Sequence, residues 1–132
     1  MIFKSRRVLF SVISIVWAAV IFGVSSIPGS GLPQNMNYWT NIGHFAEYLI
    51  LTVFIVSALQ EQTRALWKTA MMAVVIASLY GASDEFHQLF VGGRYADVFD
   101  WMTDTIGAFV GALITLSAIH ALNRGNKLKE PQ

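Results

Sequence analysis

The chain has 132 residues, of which 55% are hydrophobic and only 13% are charged. This length suits one domain, but so few charges cannot cover the surface of a soluble domain of that size. The net charge of +1 excludes recognition of nucleic acid by bulk charge, and the absence of cysteine excludes disulfide and thiolate chemistry. The composition therefore predicts an integral membrane protein in which residues 1–132 form a single domain.

Four apolar runs predict an all-α protein whose four helices cross the membrane as a compact bundle. The runs cover about residues 8–27, 42–59, 66–83 and 101–122. Each is close to the roughly 20 residues that a helix needs to cross the hydrocarbon layer. A tryptophan lies near the start of each of the last three runs, which is typical of side chains at a membrane interface.

The first run allows a second interpretation, because the basic stretch "KSRR" before it is also typical of a cleaved signal peptide. The run is long for the apolar part of a signal peptide, and no A-x-A-like cleavage site follows it. We therefore expect an uncleaved first helix.

Lysine and arginine indicate which side of the membrane each connection faces. Eight of the nine lie in the amino-terminal segment, the second connection or the carboxyl-terminal tail. Four crossings place these three segments on one side, and the positive-inside rule identifies that side as the cytoplasm. We therefore predict that both termini are cytoplasmic. The first and third connections then face outward, and Arg94 is their only basic residue.

Polar residues gather at the predicted outer ends of the second and third helices. In "GHFAEYL", His44, Glu47 and Tyr48 are spaced i, i+3, i+4 and share one helix face. In "YGASDEFHQ", four polar side chains follow i, i+4, i+7 and i+8: Tyr80, Asp84, His87 and Gln88. Alternatively, a break at Gly81 would let Ser83 cap a short interfacial helix with Asp84 and Glu85 in its first turn. Both interpretations keep the polar groups at the outer interface.

The fourth helix carries acids and glycines on one stripe. Five residues fall within about 80° of one another at 100° per residue: Asp97, Asp100, Asp104, Gly107 and Gly111. Neighbouring helices pack closely on such small residues, so Asp104 is expected to face protein. An intramembrane carboxylate indicates a functional site. Asp97 and Asp100 are explained equally well as helix caps. For His44 the less favoured alternative is an interfacial side chain bonded to backbone.

The outward acids predict a shared positive partner. Six of them face one arginine at a low-dielectric boundary, so protons or a bound cation must neutralise some of them. Carboxylates with imidazoles suit Mg²⁺, Ca²⁺, Mn²⁺ or Zn²⁺. The candidate ligands are His44, His87, Asp84 and Asp100, although their spacing matches no established metal motif.

At these residues the chain resembles the VanZ-like family of small bacterial membrane proteins. The resemblance rests on "SSIPGSGLP", "GHFAEYL" and "SDEFHQLFVGGRYADVFDWMTDTIGAFVG", which together extend from about residue 25 to residue 111. The chain departs from the family at Thr40 and Asn41, where an Asp-Lys pair usually precedes the His-Phe of the second helix. Any role of that pair therefore does not carry over.

The resemblance implies a multi-pass protein of the bacterial cytoplasmic membrane. The family is linked to low-level resistance to teicoplanin, a lipoglycopeptide that acts on outward-facing cell-wall precursors. The implied partners are membrane lipids, a lipid-linked cell-wall precursor or a lipoglycopeptide. The family's polar positions correspond to His44, Tyr48, Ser83, Asp84, Glu85, His87, Gln88, Arg94, Asp97 and Asp100.

Three functions remain open at this point. The first is a binding or modulating protein of the cell envelope that holds an anionic headgroup through a cation. Its binding residues would be Tyr48, Ser83, Gln88, Arg94, Asp97 and Asp104. The second is a metal-assisted hydrolase or transferase acting on a lipid-linked substrate. Its catalytic candidates are His44, Glu47, Asp84, Glu85, His87 and Asp100. A cation or proton carrier using Glu47 and Asp104 ranks third, because the acids lie at one end only.

Overall fold

The computed structural model describes residues 2–31, 37–60 and 65–127, and all of its regular structure is helical within those ranges. The helices are α1 (Ile2–Ser25), α2 (Asn37–Leu59), α3 (Leu66–Gln88) and α4 (Val98–Lys127), with a 3-10 turn at Gly29–Gly31. All four α-helices are long and apolar enough to cross a membrane. The predicted fold class is therefore confirmed, while the side that each terminus faces stays a prediction.

The third helix shows no break at the glycine where the sequence allowed one. It continues through Gly81 to Gln88, and the Ser83 hydroxyl donates to the carbonyl of Tyr80 in the same helix. The alternative with a short helix capped by Ser83 is therefore wrong. Gly81 is buried against α2 and α4, so tertiary packing outweighs the weak helix propensity of glycine.

Small residues bring α2 and α4 into backbone contact. A Cβ atom at Gly107 would overlap the carbonyl oxygen of Phe45, and one at Gly111 would overlap that of Leu49. Ala108 and Ala112 are buried beside them. This close approach confirms that the glycine stripe predicted on α4 is a packing surface.

Two of the side-chain hydrogen bonds that hold α1 against its neighbours lie at Trp17 and Ala18. The indole of Trp17 donates to the carbonyl of Glu47 on α2 at 3.0 Å. The hydroxyl of Tyr80 on α3 donates to the carbonyl of Ala18 at 2.6 Å. Such bonds contribute to helix association in a membrane, where lipid removes most of the hydrophobic driving force.

The α3–α4 connection closes over the end of α1. The amide of Gly29 donates to the carbonyl of Gly92 at 3.0 Å. The guanidinium of Arg94 donates to the carbonyls of Ile27 and Val24, at 3.2 Å and 3.4 Å. Arg94 therefore ties this connection to the carbonyl end of α1 and to the turn that follows it.

A glycine in this connection is expected to tolerate substitution poorly. Gly93 has a φ of +75°, a conformation that costs a residue with a Cβ atom about 1–2 kcal/mol. We expect Gly93→Ala to lower the thermal stability of the detergent-purified protein, measured by tryptophan fluorescence. Gly92→Ala is the matched control, because its Cβ atom would meet nothing within 4 Å. Equal melting temperatures for the two variants would contradict the described loop geometry.

Candidate headgroup and cation site

Polar side chains fill the end of the bundle where α1 and α3 finish and α2 and α4 begin. We call this set the polar cluster: Ser25, His44, Tyr48, Asp84, Glu85, Gln88 and Asp104. All seven are buried, although three of them are carboxylic acids. Buried acids are costly unless they are paired or bind a cation, so this cluster is the strongest candidate for a functional site.

A histidine and an aspartate join α2 to α4 inside the cluster. His44 Nδ1 lies 3.0 Å from Asp104 Oδ1. The other oxygen of Asp104 has no hydrogen-bond partner among the described residues. A Cβ atom at Gly81 would lie 3.0 Å from that oxygen and 3.3 Å from Cε1 of Tyr48. The glycine on α3 therefore leaves room for the carboxylate and the phenol ring to approach the backbone of α3.

Neutral donors orient the two acids of α3. Ser25 Oγ donates to Asp84 Oδ2 at 2.6 Å, which ties α1 to α3. The amide of Gln88 donates to Asp84 Oδ2 at 3.3 Å and to Glu85 Oε1 at 3.1 Å. The backbone amide of Asp97 donates to Glu85 Oε2 at 2.7 Å. These bonds fix the carboxyl groups without supplying any positive charge.

Three atoms of the cluster are buried and lack a hydrogen-bond partner within the described ranges: Tyr48 Oη, Asp84 Oδ1 and Asp104 Oδ2. Their residues are 0%, 2% and 0% exposed. Leaving such an atom unsatisfied costs about 1–3 kcal/mol. Three of them in one cluster indicate a place that a polar ligand or an ion can occupy.

The structure also brings possible metal ligands together. One atom from each of His44, Glu85 and Asp104 lies within 4.8 Å of the other two. The sequence-predicted ligand set shares only His44 with this group. Helical geometry explains the difference on α3, because residues 85 and 87 are about 200° apart around the helix and cannot both face one point.

Several predicted site residues make contacts outside the polar cluster, and their predicted functional roles stay predictions. His87 stacks on Phe22 with ring centroids 4.3 Å apart, and its Nε2 lies 3.0 Å from Ser26 Oγ. Arg94 donates to the carbonyls of Val24 and Ile27 rather than to an acid of the cluster. Asp97 Oδ1 accepts from the amide of Phe99 at 2.8 Å, which is the capping role that the sequence left open.

The remaining candidates lie around the cluster. Glu47 and Asp100 are partly buried, and Ser83 is exposed. Two residues of the site were not predicted: Ser25 had no expected role, and Gly81 was expected only as a possible helix break. Ser25 and Ser26 form a polar pair at the end of an apolar run, within the stretch "SSIPGSGLP". This pair was the sequence feature that could have indicated a site residue on the first helix.

Comparison with known proteins places the chain in a family. The VanZ/LLP1 family model matches residues 2–120. No curated protein matches the chain, and no solved structure matches it. With four helices that can cross a membrane and a family match over nearly its whole length, the protein belongs to the VanZ/LLP1 family.

Proposed function

We propose that this protein binds the phosphorylated headgroup of an outer-leaflet lipid or lipid-linked cell-wall precursor in the polar cluster. It would do so as a multi-pass protein of the bacterial cytoplasmic membrane, with both termini in the cytoplasm. The observation that carries the proposal is the set of buried, unpartnered atoms Tyr48 Oη, Asp84 Oδ1 and Asp104 Oδ2. A ligand entering from the membrane surface would supply their missing partners.

The charge of the cluster restricts the ligand. Three buried carboxylic acids share one imidazole there, while the guanidinium of Arg94 donates to the carbonyls of Val24 and Ile27. An uncompensated negative site in a low-dielectric interior is strongly unfavourable. A divalent cation removes that penalty and keeps further coordination positions for phosphate oxygens. The headgroup therefore binds as a phosphate bridged through a cation.

The surface around this end of the bundle suits a lipid ligand. Four aromatic side chains there are exposed by 63–76%: Phe86, Phe90, Tyr95 and Phe99. Aromatic side chains in such positions contact lipid near the headgroup level. A lipid whose phosphate enters the cluster can therefore keep its hydrocarbon chain in the bilayer.

The proposal also accounts for the phenotype that the family resemblance implies. Teicoplanin acts on outward-facing cell-wall precursors, and such precursors carry a phosphorylated headgroup on a lipid. A membrane protein that binds this headgroup would alter how much precursor is accessible to the antibiotic. Low-level glycopeptide resistance follows from partial competition of this kind.

Lipid binding by the purified protein tests the proposal. A polyprenyl phosphate and the matching polyprenol differ only in the phosphate, so their dissociation constants isolate headgroup recognition. In buffer containing divalent cations, we expect the phosphate to bind at least about tenfold more tightly, because a hydrogen bond to a charged group contributes about 1.5–3 kcal/mol. Native mass spectrometry or tryptophan fluorescence in detergent provides the readout.

A pair of tyrosine variants locates the binding site. Tyr48→Phe removes a buried hydroxyl that has no partner within the described residues, whereas Tyr95→Phe removes one from a side chain that is 76% exposed. We expect Tyr48→Phe to weaken phosphate-lipid binding about tenfold and Tyr95→Phe to leave it unchanged. Equal binding of polyprenol and polyprenyl phosphate, or equal effects of the two variants, would refute the proposal.

A further inference from the structure

We infer that the cation of this site is Zn²⁺ or Mn²⁺, held by His44, Glu85 and Asp104 with at least one coordination position open. The inference deepens the proposed headgroup site by naming its metal and its ligands. It differs from the set that the sequence suggests, because Asp84, His87 and Asp100 are not ligands in it.

The ligand atoms already lie close to their required positions. His44 is on α2, Glu85 on α3 and Asp104 on α4, and all three are buried. Their ligand atoms lie within 4.8 Å of one another. With metal–ligand bonds of about 2.0–2.2 Å, ligand atoms on one ion lie roughly 3–4 Å apart. Small side-chain rotations therefore suffice to close the site around an ion.

The donor set selects the class of metal. Mg²⁺ and Ca²⁺ prefer sites made only of oxygen ligands. An imidazole nitrogen beside two carboxylates favours Zn²⁺. Mn²⁺ also suits this set, because it prefers carboxylate oxygens more than Zn²⁺ does. A divalent ion also neutralises the charges of its two carboxylate ligands when the histidine is neutral, which lowers the cost of burying them.

Groups around the three ligands are arranged to support them. The amide of Gln88 and the backbone amide of Asp97 each donate to one oxygen of Glu85, and donors of this kind hold a ligand in its binding orientation. Tyr48 Oη is buried and has no partner within the described ranges. The ring of Tyr48 and the carboxylate of Asp104 both pack against Gly81. This phenol can bind a water or a phosphate oxygen on the open position of the metal.

An open position distinguishes this site from a structural metal site. Structural zinc sites have four protein ligands, whereas sites that bind a water or a substrate have three. The three ligands found here come from three different helices. The site therefore has the composition needed to exchange a bound water for a headgroup phosphate.

The test measures metal binding directly, in the absence of added lipid. Protein in detergent is stripped with a chelator and titrated separately with Zn²⁺, Mn²⁺, Mg²⁺ and Ca²⁺, with bound metal counted by elemental analysis after dialysis. We expect one Zn²⁺ or Mn²⁺ per chain and at least tenfold weaker binding of Mg²⁺ and Ca²⁺. Pulsed EPR of the Mn²⁺-loaded protein is expected to show one directly bound nitrogen.

Conservative variants identify the ligands. Glu85→Gln and Asp104→Asn are expected to weaken binding at least tenfold, and His44→Gln to remove the nitrogen signal. The matched controls His87→Gln, Asp100→Asn and His120→Gln are expected to bind metal as the unmodified protein does. Melting temperatures measured in chelator show whether each variant is folded. The EPR measurement uses the unmodified protein, so it tests the histidine ligand even if a variant fails to fold.

The outcomes separate this inference from the proposed function. Absence of stoichiometric Zn²⁺ or Mn²⁺ binding, or loss of binding in His87→Gln but not in Glu85→Gln, overturns the metal site. Phosphate-lipid binding that is unchanged by chelator also overturns it, together with the proposed cation bridge, while leaving headgroup binding in the polar cluster intact. One bound metal without any preference for the phosphorylated lipid supports the metal site and removes the headgroup proposal.

Discussion

Replacing Gly111 by leucine is expected to separate α4 from α2 and to destabilise the protein by about 3 kcal/mol or more. Even a single Cβ atom at this position would overlap the carbonyl oxygen of Leu49. A backbone carbonyl cannot rotate away as a flexible side chain can, so the helices must move apart. Inserting bulk into a packed interior typically costs about 1–3 kcal/mol, and more where the backbone has to shift.

Ala118→Leu is the appropriate control for that experiment. Ala118 lies on the same helix but is exposed, so the added side chain meets no neighbouring helix of the bundle. The neighbouring Ala112 is unsuitable, because it is 3% exposed and belongs to the core. Thermal unfolding in detergent compares the two variants. A Gly111→Leu protein as stable as Ala118→Leu would show that α2 and α4 do not pack through this glycine.

The packing face of α4 is the part of the structure that its sequence predicts best. Helical periodicity alone places Asp104, Gly107 and Gly111 on one stripe, and all three are buried. Periodicity works here because acids and glycines are rare in an apolar run, so their spacing shows which side is not in contact with lipid.

The start of α2 is predicted less well. The helix begins at Asn37 rather than near residue 42, because its first turns are too polar for an apolar run to detect.

The partners within the polar cluster could not be predicted from any single helix. His44 meets Asp104 across 60 positions of sequence, and Ser25 meets Asp84 across 59. Periodicity fixes which side of each helix is polar, but it does not fix which helices are neighbours or at what depth their side chains meet. The role of Arg94 shows the same limit. Its charge predicts an anionic ligand, and periodicity could not show that its guanidinium donates to the carbonyls of Val24 and Ile27.

Breaking the pair between His44 and Asp104 is expected to have the second large effect. In metal-free buffer, we expect His44→Leu to destabilise the protein by about 3–5 kcal/mol, because removing one partner leaves a buried carboxylate uncompensated. Asp104 is 0% exposed, and its other oxygen already lacks a partner within the described residues, so little else can stabilise its charge. His120→Leu is the matched control, since His120 is an exposed histidine on α4.

The double variant His44→Leu/Asp104→Leu distinguishes a lost ion pair from lost packing. Replacing both members of a buried pair by apolar groups is often neutral, because the charge that needed compensation is removed together with its partner. We therefore expect the double variant to recover most of the stability lost in His44→Leu, measured by unfolding in detergent with chelator present. If His44→Leu is no less stable than His120→Leu, the pair does not compensate charge. If the double variant is as unstable as His44→Leu, the imidazole of His44 stabilises the protein through packing. The buried charge of Asp104 is then not the reason why removing the imidazole is costly.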